Sequence, residues 1–196
     1  MLDRLEYVGI RFNDLTLIDS ECSGVEFDNC TFINCNLSGA RFVRCRFVDC
    51  EFVQCNVSVA HFDFSRFTDV IFKECKVVGV DWTKLSYPNY IFTSPFGFLR
   101  CRIDDCNFFG LNLSEIEMLE CKARNVDFRE ANLSGASCSH TDFLGSLFGQ
   151  SSLDNSDFTG AVNYSISLLD NSINGAAFSK LEAVRLLESL GMILRD

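Results

Sequence analysis

The chain has 196 residues, 47% of them apolar, with 27 acidic against 17 basic side chains and a net charge of −10. That is long enough for one continuous core, and no apolar run approaches the ~20 residues that span a bilayer. The acidity disfavours direct contact with a phosphate backbone and favours a basic partner instead.

The first predicted element covers most of the N-terminal half. From Leu2 through Tyr7, Phe12, Leu17, Cys22 and Phe27 to Tyr87 and Phe92, every fifth residue is apolar. Helices repeat near 3.6 residues and strands at two, so neither produces this spacing. A companion two positions earlier is usually small, as at Cys30, Cys35, Ala40, Cys45, Cys50 and Ser65. Large and small inward residues therefore alternate, with three outward positions per unit. Such a unit buries nothing alone and must stack on its neighbours, which is the logic of a solenoid. Four five-residue sides close a coil, so residues 20 apart stack at about the ~4.8 Å inter-strand spacing. The chain begins in this repeat without the basic and apolar start of a signal peptide, and a cytoplasmic protein is expected.

Between Thr83 and Gly97 the phase slips by one residue, in a stretch holding both prolines, Pro88 and Pro95. The excursion is a one-residue bulge or a loop of about six or eleven residues. Tyr87 and Phe92 still obey the first register, which favours the smaller one. Ser86, Tyr87, Pro88 and Asn89 are the candidate contact loop.

A second series then runs from Phe98 through Ile103, Phe108, Leu113 and Met118 to Phe178, broken only at Asn163. Charge is uneven along the rod. Residues 1–40 hold seven acids against Arg4 and Arg11, and residues 41–129 hold twelve of each sign. From Glu130 to Phe178 stand Glu130, Asp142, Asp154, Asp157 and Asp170, with no lysine or arginine. No charged residue occupies an inward position in either series.

After Phe178, Ser179 and Glu182 have the spacing of a capping box, and Gly191 marks a stop. The intervening helix carries a broad apolar face that includes Ala183, Val184, Leu186, Leu187 and Leu190. Part of this face must cap the last coil, and the surplus, with Met192 and Ile193, suits a symmetric contact. Two regions result: 1–178 as solenoid, and 179–196 as cap and dimer interface through Leu186, Leu187, Leu190, Met192 and Ile193.

The eleven cysteines all fall on inward positions, where a thiol behaves as a small hydrophobe. They lack the clustered spacing of zinc ligands. His61 and His140 are outward without cysteine partners, and no phosphate loop, nucleophile elbow or His-Glu-x-x-His motif occurs. The expectation is a non-enzymatic protein with no cofactor and no metal.

Units such as Ala131-Asn132-Leu133-Ser134-Gly135, Ser156-Asp157-Phe158-Thr159-Gly160 and Cys35-Asn36-Leu37-Ser38-Gly39 resemble those of pentapeptide-repeat proteins, whose consensus is Ala-(Asp/Asn)-Leu-X-X. The resemblance implies an all-β solenoid, the right-handed quadrilateral β-helix of that family. The ending, Leu186-Leu187-Glu188-Ser189-Leu190-Gly191-Met192-Ile193, is similar to that of the Qnr, MfpA and microcin B17 immunity proteins. In those relatives the C-terminal module pairs two rods into an acidic dimer that resembles duplex DNA and acts on DNA gyrase or topoisomerase IV. Carried over, Glu130, Asp142, Asp154, Asp157 and Asp170 would lie near the dimer centre in place of phosphates. Qnr proteins carry projecting loops that this chain matches with at most one. A generic protein-binding scaffold, with no topoisomerase role, is the alternative.

Overall fold

A computed structural model describes residues 4–87 and 93–193. Leu2, Phe92, Pro88 and Asn89 of the sequence reading lie outside the described residues. The rest is a four-sided β-solenoid of about eight coils with parallel strands and one C-terminal helix.

Coils stack in the 20-residue register. Tyr7 pairs with Phe27, Phe27 with Phe47 and Phe47 with Phe67 along one side, which we call face 1. Face 2 runs through Phe12, Phe32, Phe52 and Phe72, and its six strands form the longest sheet. Face 3 starts at Leu17 and face 4 at Cys22. Inside, the phenylalanines form ladders: ring centroids lie 4.8 Å apart for Phe27 and Phe47 and 4.6 Å for Phe32 and Phe52, both stacked. Rings on adjacent faces meet edge-on, as do Phe27 and Phe32 at 5.5 Å. Each pair adds about 0.5–1.5 kcal/mol beyond its buried area.

What precedes the central residue decides the shape of a side. Where it is Glu, Arg or Thr, the side is usually a three-residue strand, as at Glu26–Asp28, Thr31–Ile33 and Arg46–Val48. Where it is Asn, the side turns. The Oδ1 atoms of Asn36, Asn56 and Asn132 accept the backbone N–H two residues on, from Ser38, Ser58 and Ser134. These are Asx turns, in which a short amide side chain mimics a backbone carbonyl.

The small inward slots carry a second ladder. Cys35, Cys55, Cys75 and Cys101 donate their N–H groups to the Sγ atoms of Cys55, Cys75, Cys101 and Cys121, at 3.3–3.4 Å. The next rung has a hydroxyl, Cys121 N–H donating to Thr141 Oγ1 at 3.0 Å. The thiols are thus structural hydrogen-bonding groups inside the wall, and burial pushes those of Cys50, Cys106 and Cys138 up to about 12.

The excursion is larger than the one-residue reading favoured. Ile71 pairs with Gly97 and Phe72 with Phe98, 26 residues apart, so six residues are added to the coil. Ser86 N–H still donates to Ser65 C=O in the regular register, while Ser94 N–H donates to Ser114 C=O above. The regular register therefore holds at Ser86 and is resumed at Ser94, both on face 1. The inner columns continue across the gap: Phe98 stacks on Phe72 at 5.3 Å and Phe108 on Trp82 at 6.0 Å.

At Asn163, the one exception in the second series, the neighbouring Tyr164 fills the core and packs against Phe158 and Phe178. Ile166 then pairs with Phe148, two residues short of the register, and Ser172 restores it opposite Ser152.

The helix spans Lys180–Glu188, but the expected capping box does not form. Ser179 Oγ accepts from Gly160 N–H at 2.7 Å, and Glu182 Oε2 accepts from Asn163 N–H at 3.3 Å. Both side chains bind the helix to the last coil instead. Gly191, with φ at +75°, ends it as expected.

Candidate protein-interaction surfaces

The inward side chains form one buried core, and the charged groups stand on the outward positions. The five acids of the C-terminal coils are spread around the rod rather than gathered on one side. Asp154 follows the central Leu153 on face 1, Asp157 precedes Phe158 on face 2, and Asp142 precedes Phe143 on face 3. Glu130 and Asp170 share the corner between faces 4 and 1, with Gln150 between them.

Three of the carboxylates also have local work. Asp142 ion-pairs with Arg124 and accepts from Asn163 Nδ2 at 2.9 Å. Burial raises its proton affinity, yet these partners hold it below the usual carboxylate range. Asp157 is held low by the Thr159 side chain and by Thr159 N–H, which donates at 2.8 Å. Asp154 is held low by the Ser172 hydroxyl at 2.6 Å and Asn174 N–H at 2.7 Å. Glu130 and Asp170 are exposed. Outward position alone could not separate the two groups; the Asx relation, an acid immediately before the central residue, could have marked Asp142 and Asp157.

At the C-terminal end, Leu186 is buried and Ala183 packs against the core. Leu187, Leu190 and Met192 are exposed, as are Val184 and, almost fully, Leu181 at 89% and Ile193 at 81%. The helix covers the last coil with one stripe and leaves a second apolar surface open to solvent. Of the residues expected at a dimer interface, only Leu186 is committed to the cap.

Ser86 and Tyr87 stand where the excursion leaves face 1. The Tyr87 ring is half-buried against the core, so this side chain is anchoring the wall. At the opposite end, the first coil opens into a cavity of about 730 Å³ lined by Leu5, Leu17, Cys22, Val25 and Phe42 among others. Among the described residues no three His, Cys, Asp or Glu side chains cluster as metal ligands, and no helix is long and apolar enough to cross a membrane.

Comparisons with known proteins agree with this architecture. A family model described as a pentapeptide repeat region matches residues 25–93, and a model of pentapeptide repeats matches residues 101–137 and 131–162. Among solved structures, a trypsin-treated variant of QnrB1, a plasmid-mediated fluoroquinolone resistance protein, is 19% identical and superposes with a TM-score of 0.50, covering 97% of each chain. HetL, a pentapeptide repeat protein involved in heterocyst differentiation regulation in the cyanobacterium Nostoc, is 14% identical with a TM-score of 0.45, covering 88% of this chain and 84% of its own. No curated protein matches the chain.

Proposed function

The chain belongs to the pentapeptide-repeat family, and from that premise we propose that it is a non-enzymatic, protein-binding rod that dimerises through its C-terminal end and engages a type II topoisomerase, DNA gyrase or topoisomerase IV, as a mimic of duplex DNA. The observation that carries this reading is the pairing of two features at one end. Five carboxylates and no cation ring the coils from Glu130 to Phe178, and directly beyond them lies an exposed apolar surface. Joining two such ends would bury Leu187, Leu190, Met192 and Ile193 and make one continuous cylinder. Negative charge would then flank its middle on faces 1 and 2 and at the corner between faces 4 and 1, while Asp142 on face 3 is paired with Arg124, and a positively charged DNA groove would attract it. Modulation of the enzyme, or protection from a quinolone or peptide toxin, would follow from occupying that groove.

The test is a supercoiling assay with purified gyrase, with and without a quinolone. The wild type at micromolar concentration is expected to inhibit supercoiling or to reduce drug-stabilised cleavage. Reversing Glu130 and Asp170 together to Lys should weaken the effect at least about tenfold, the scale of two lost charge contacts. If the wild type does neither, the topoisomerase reading fails. A generic scaffold then remains, a reading favoured by the engagement of Asp142 and Asp157 in holding their own turns and of Asp154 in holding the next coil.

A further inference from the structure

Phe64 sits at the corner between faces 4 and 1, a left-handed slot filled by Gly24, Arg44, Gly110, Glu130 and Gln150 in other coils. Its φ is +58° and 65% of it is exposed. A left-handed backbone is unfavourable for a bulky residue, and here no burial compensates. Four cations surround it. The Arg44 guanidinium lies 5.8 Å from the ring centroid one coil below, and Lys84 occupies the same corner one coil above, its C=O accepting Phe64 N–H. Beside them on face 1, Arg46 and Arg66 stand directly in register, a like-charge facing pair that costs stability in a sheet. Arg46 is paired with Glu26 at 2.8 Å, and Lys84 lies 3.9 Å from Asp81. No ion pair among the described residues engages Arg44 or Arg66.

These features share an open groove of about 430 Å³ lined by Arg44, Arg46, Phe64, Arg66 and Ser86. Two locally unfavourable choices therefore coincide, the exposed left-handed Phe64 and the facing pair of Arg46 and Arg66, and such coincidences mark functional sites. The groove is too open to bury most of a small molecule, so its occupant must bring its own surface. Exposed aromatic and arginine side chains are the usual anchors of protein interfaces, and guanidinium groups match carboxylates bidentately. A net charge of −10 opposes a long nucleic-acid backbone, whereas a short acidic segment meets mainly this local field.

We propose that the Phe64 corner docks an acidic segment of a protein partner, with an apolar side chain seated on Phe64 and flanking carboxylates held by Arg44 and Arg66. This site is opposite in sign to the C-terminal coils and does not depend on the topoisomerase reading.

Random dodecapeptides displayed on phage, selected at low salt on the full chain, are expected to become rich in Asp and Glu flanking an apolar residue. Synthetic versions, followed by fluorescence anisotropy, should lose affinity at least about tenfold for Phe64→Asn and for Arg44→Glu with Arg66→Glu, and should weaken steeply with salt. They should bind the Glu130→Lys, Asp170→Lys variant no more weakly than the wild type. Asn suits a left-handed corner, as at Asn29 and Asn34, so Phe64→Asn should melt at or above the wild-type temperature. Absence of acidic enrichment, binding retained by Phe64→Asn, or a lower melting temperature for that variant would overturn the proposal. So would labelled oligo-dT binding as tightly as the peptides through the same residues, which would make the corner a nucleic-acid surface.

Discussion

Single side chains in this rod matter through columns. Phe47 stacks on Phe27 at 4.8 Å and also meets Phe42, Phe62 and Phe67 edge-on. Phe47→Ala therefore opens a cavity between coils that the flanking rings cannot fill, and should cost about 3–5 kcal/mol in chemical denaturation. The thiol slots behave differently, because Ser65 already occupies one, its Oγ accepting Cys45 N–H at 2.8 Å. Cys55→Ser should preserve the rung from Cys35 N–H and cost less than about 1.5 kcal/mol, the range of near-isosteric changes. In the native protein a thiol-specific reagent should modify Cys22, which is half-buried, and reach the ten others only on unfolding. Reaction of several thiols at the native rate would show that the wall opens locally. At this scale the period of five made nearly every inward residue legible. It missed Tyr164, because a local shortening of the coil moves the inward slot one residue past Asn163. It also missed Phe64, whose signal was present: a large aromatic in a corner slot that suits Gly, Asn or Asp, with arginines one coil away.

Elements here are five-residue sides, and their stability rests on side chains bonded to the adjacent backbone. The depressed carboxylates of Asp154 and Asp157 link that stability to pH. Free in the unfolded chain they titrate near 3.9, and in the fold lower. Their contribution is complete above the unfolded value and is lost as pH falls through the folded one. Thermal melts between pH 6 and 3 should therefore show a fall in melting temperature below about pH 4, shallower in Asp157→Asn, which keeps an Asx acceptor without the proton linkage. An unchanged slope in that variant would remove Asp157 from the account. The excursion was only half legible. Tyr87 keeps the old register, so the sequence before the slip carries no sign of departure. Its length emerges only from pairing across the gap, Phe72 with Phe98. The capping box was misleading for a physical reason: Ser179 and Glu182 find partners in Gly160 and Asn163 of the last coil, so tertiary hydrogen bonds replace the local ones.

On the scale of the whole molecule, the two ends are unlike. One opens onto a cavity, and the other is closed by a helix that keeps Leu181, Val184 and Leu187 exposed, with Leu190 exposed just beyond it. Light scattering of the intact chain should give twice the monomer mass, and Leu190→Asp should return it to the monomer without lowering helix content, since Leu190 lies beyond the helix and is exposed. A monomeric wild type would remove the paired-rod geometry. The solenoid itself was the most legible property of all, because every coil repeats the same sorting of large, small and outward positions. What the chain binds was the least legible, because outward positions obey no such repetition.

The corner between faces 4 and 1 carries, in order along the axis, Arg44, Phe64, Lys84, Gly110, Glu130, Gln150 and Asp170. Each step is one coil, about 4.8 Å, and the edge continues across the register slip, with Phe108 stacked on Trp82 beside it. This edge is a ruler with graduations: cation and ring at one end, anions at the other, at distances that side-chain motion can blur but the backbone cannot change. A partner reading it must match spacing as well as sign, and lengthening the rod by one 20-residue coil between Gly110 and Glu130 would move the two stations apart by one fixed increment while leaving each intact.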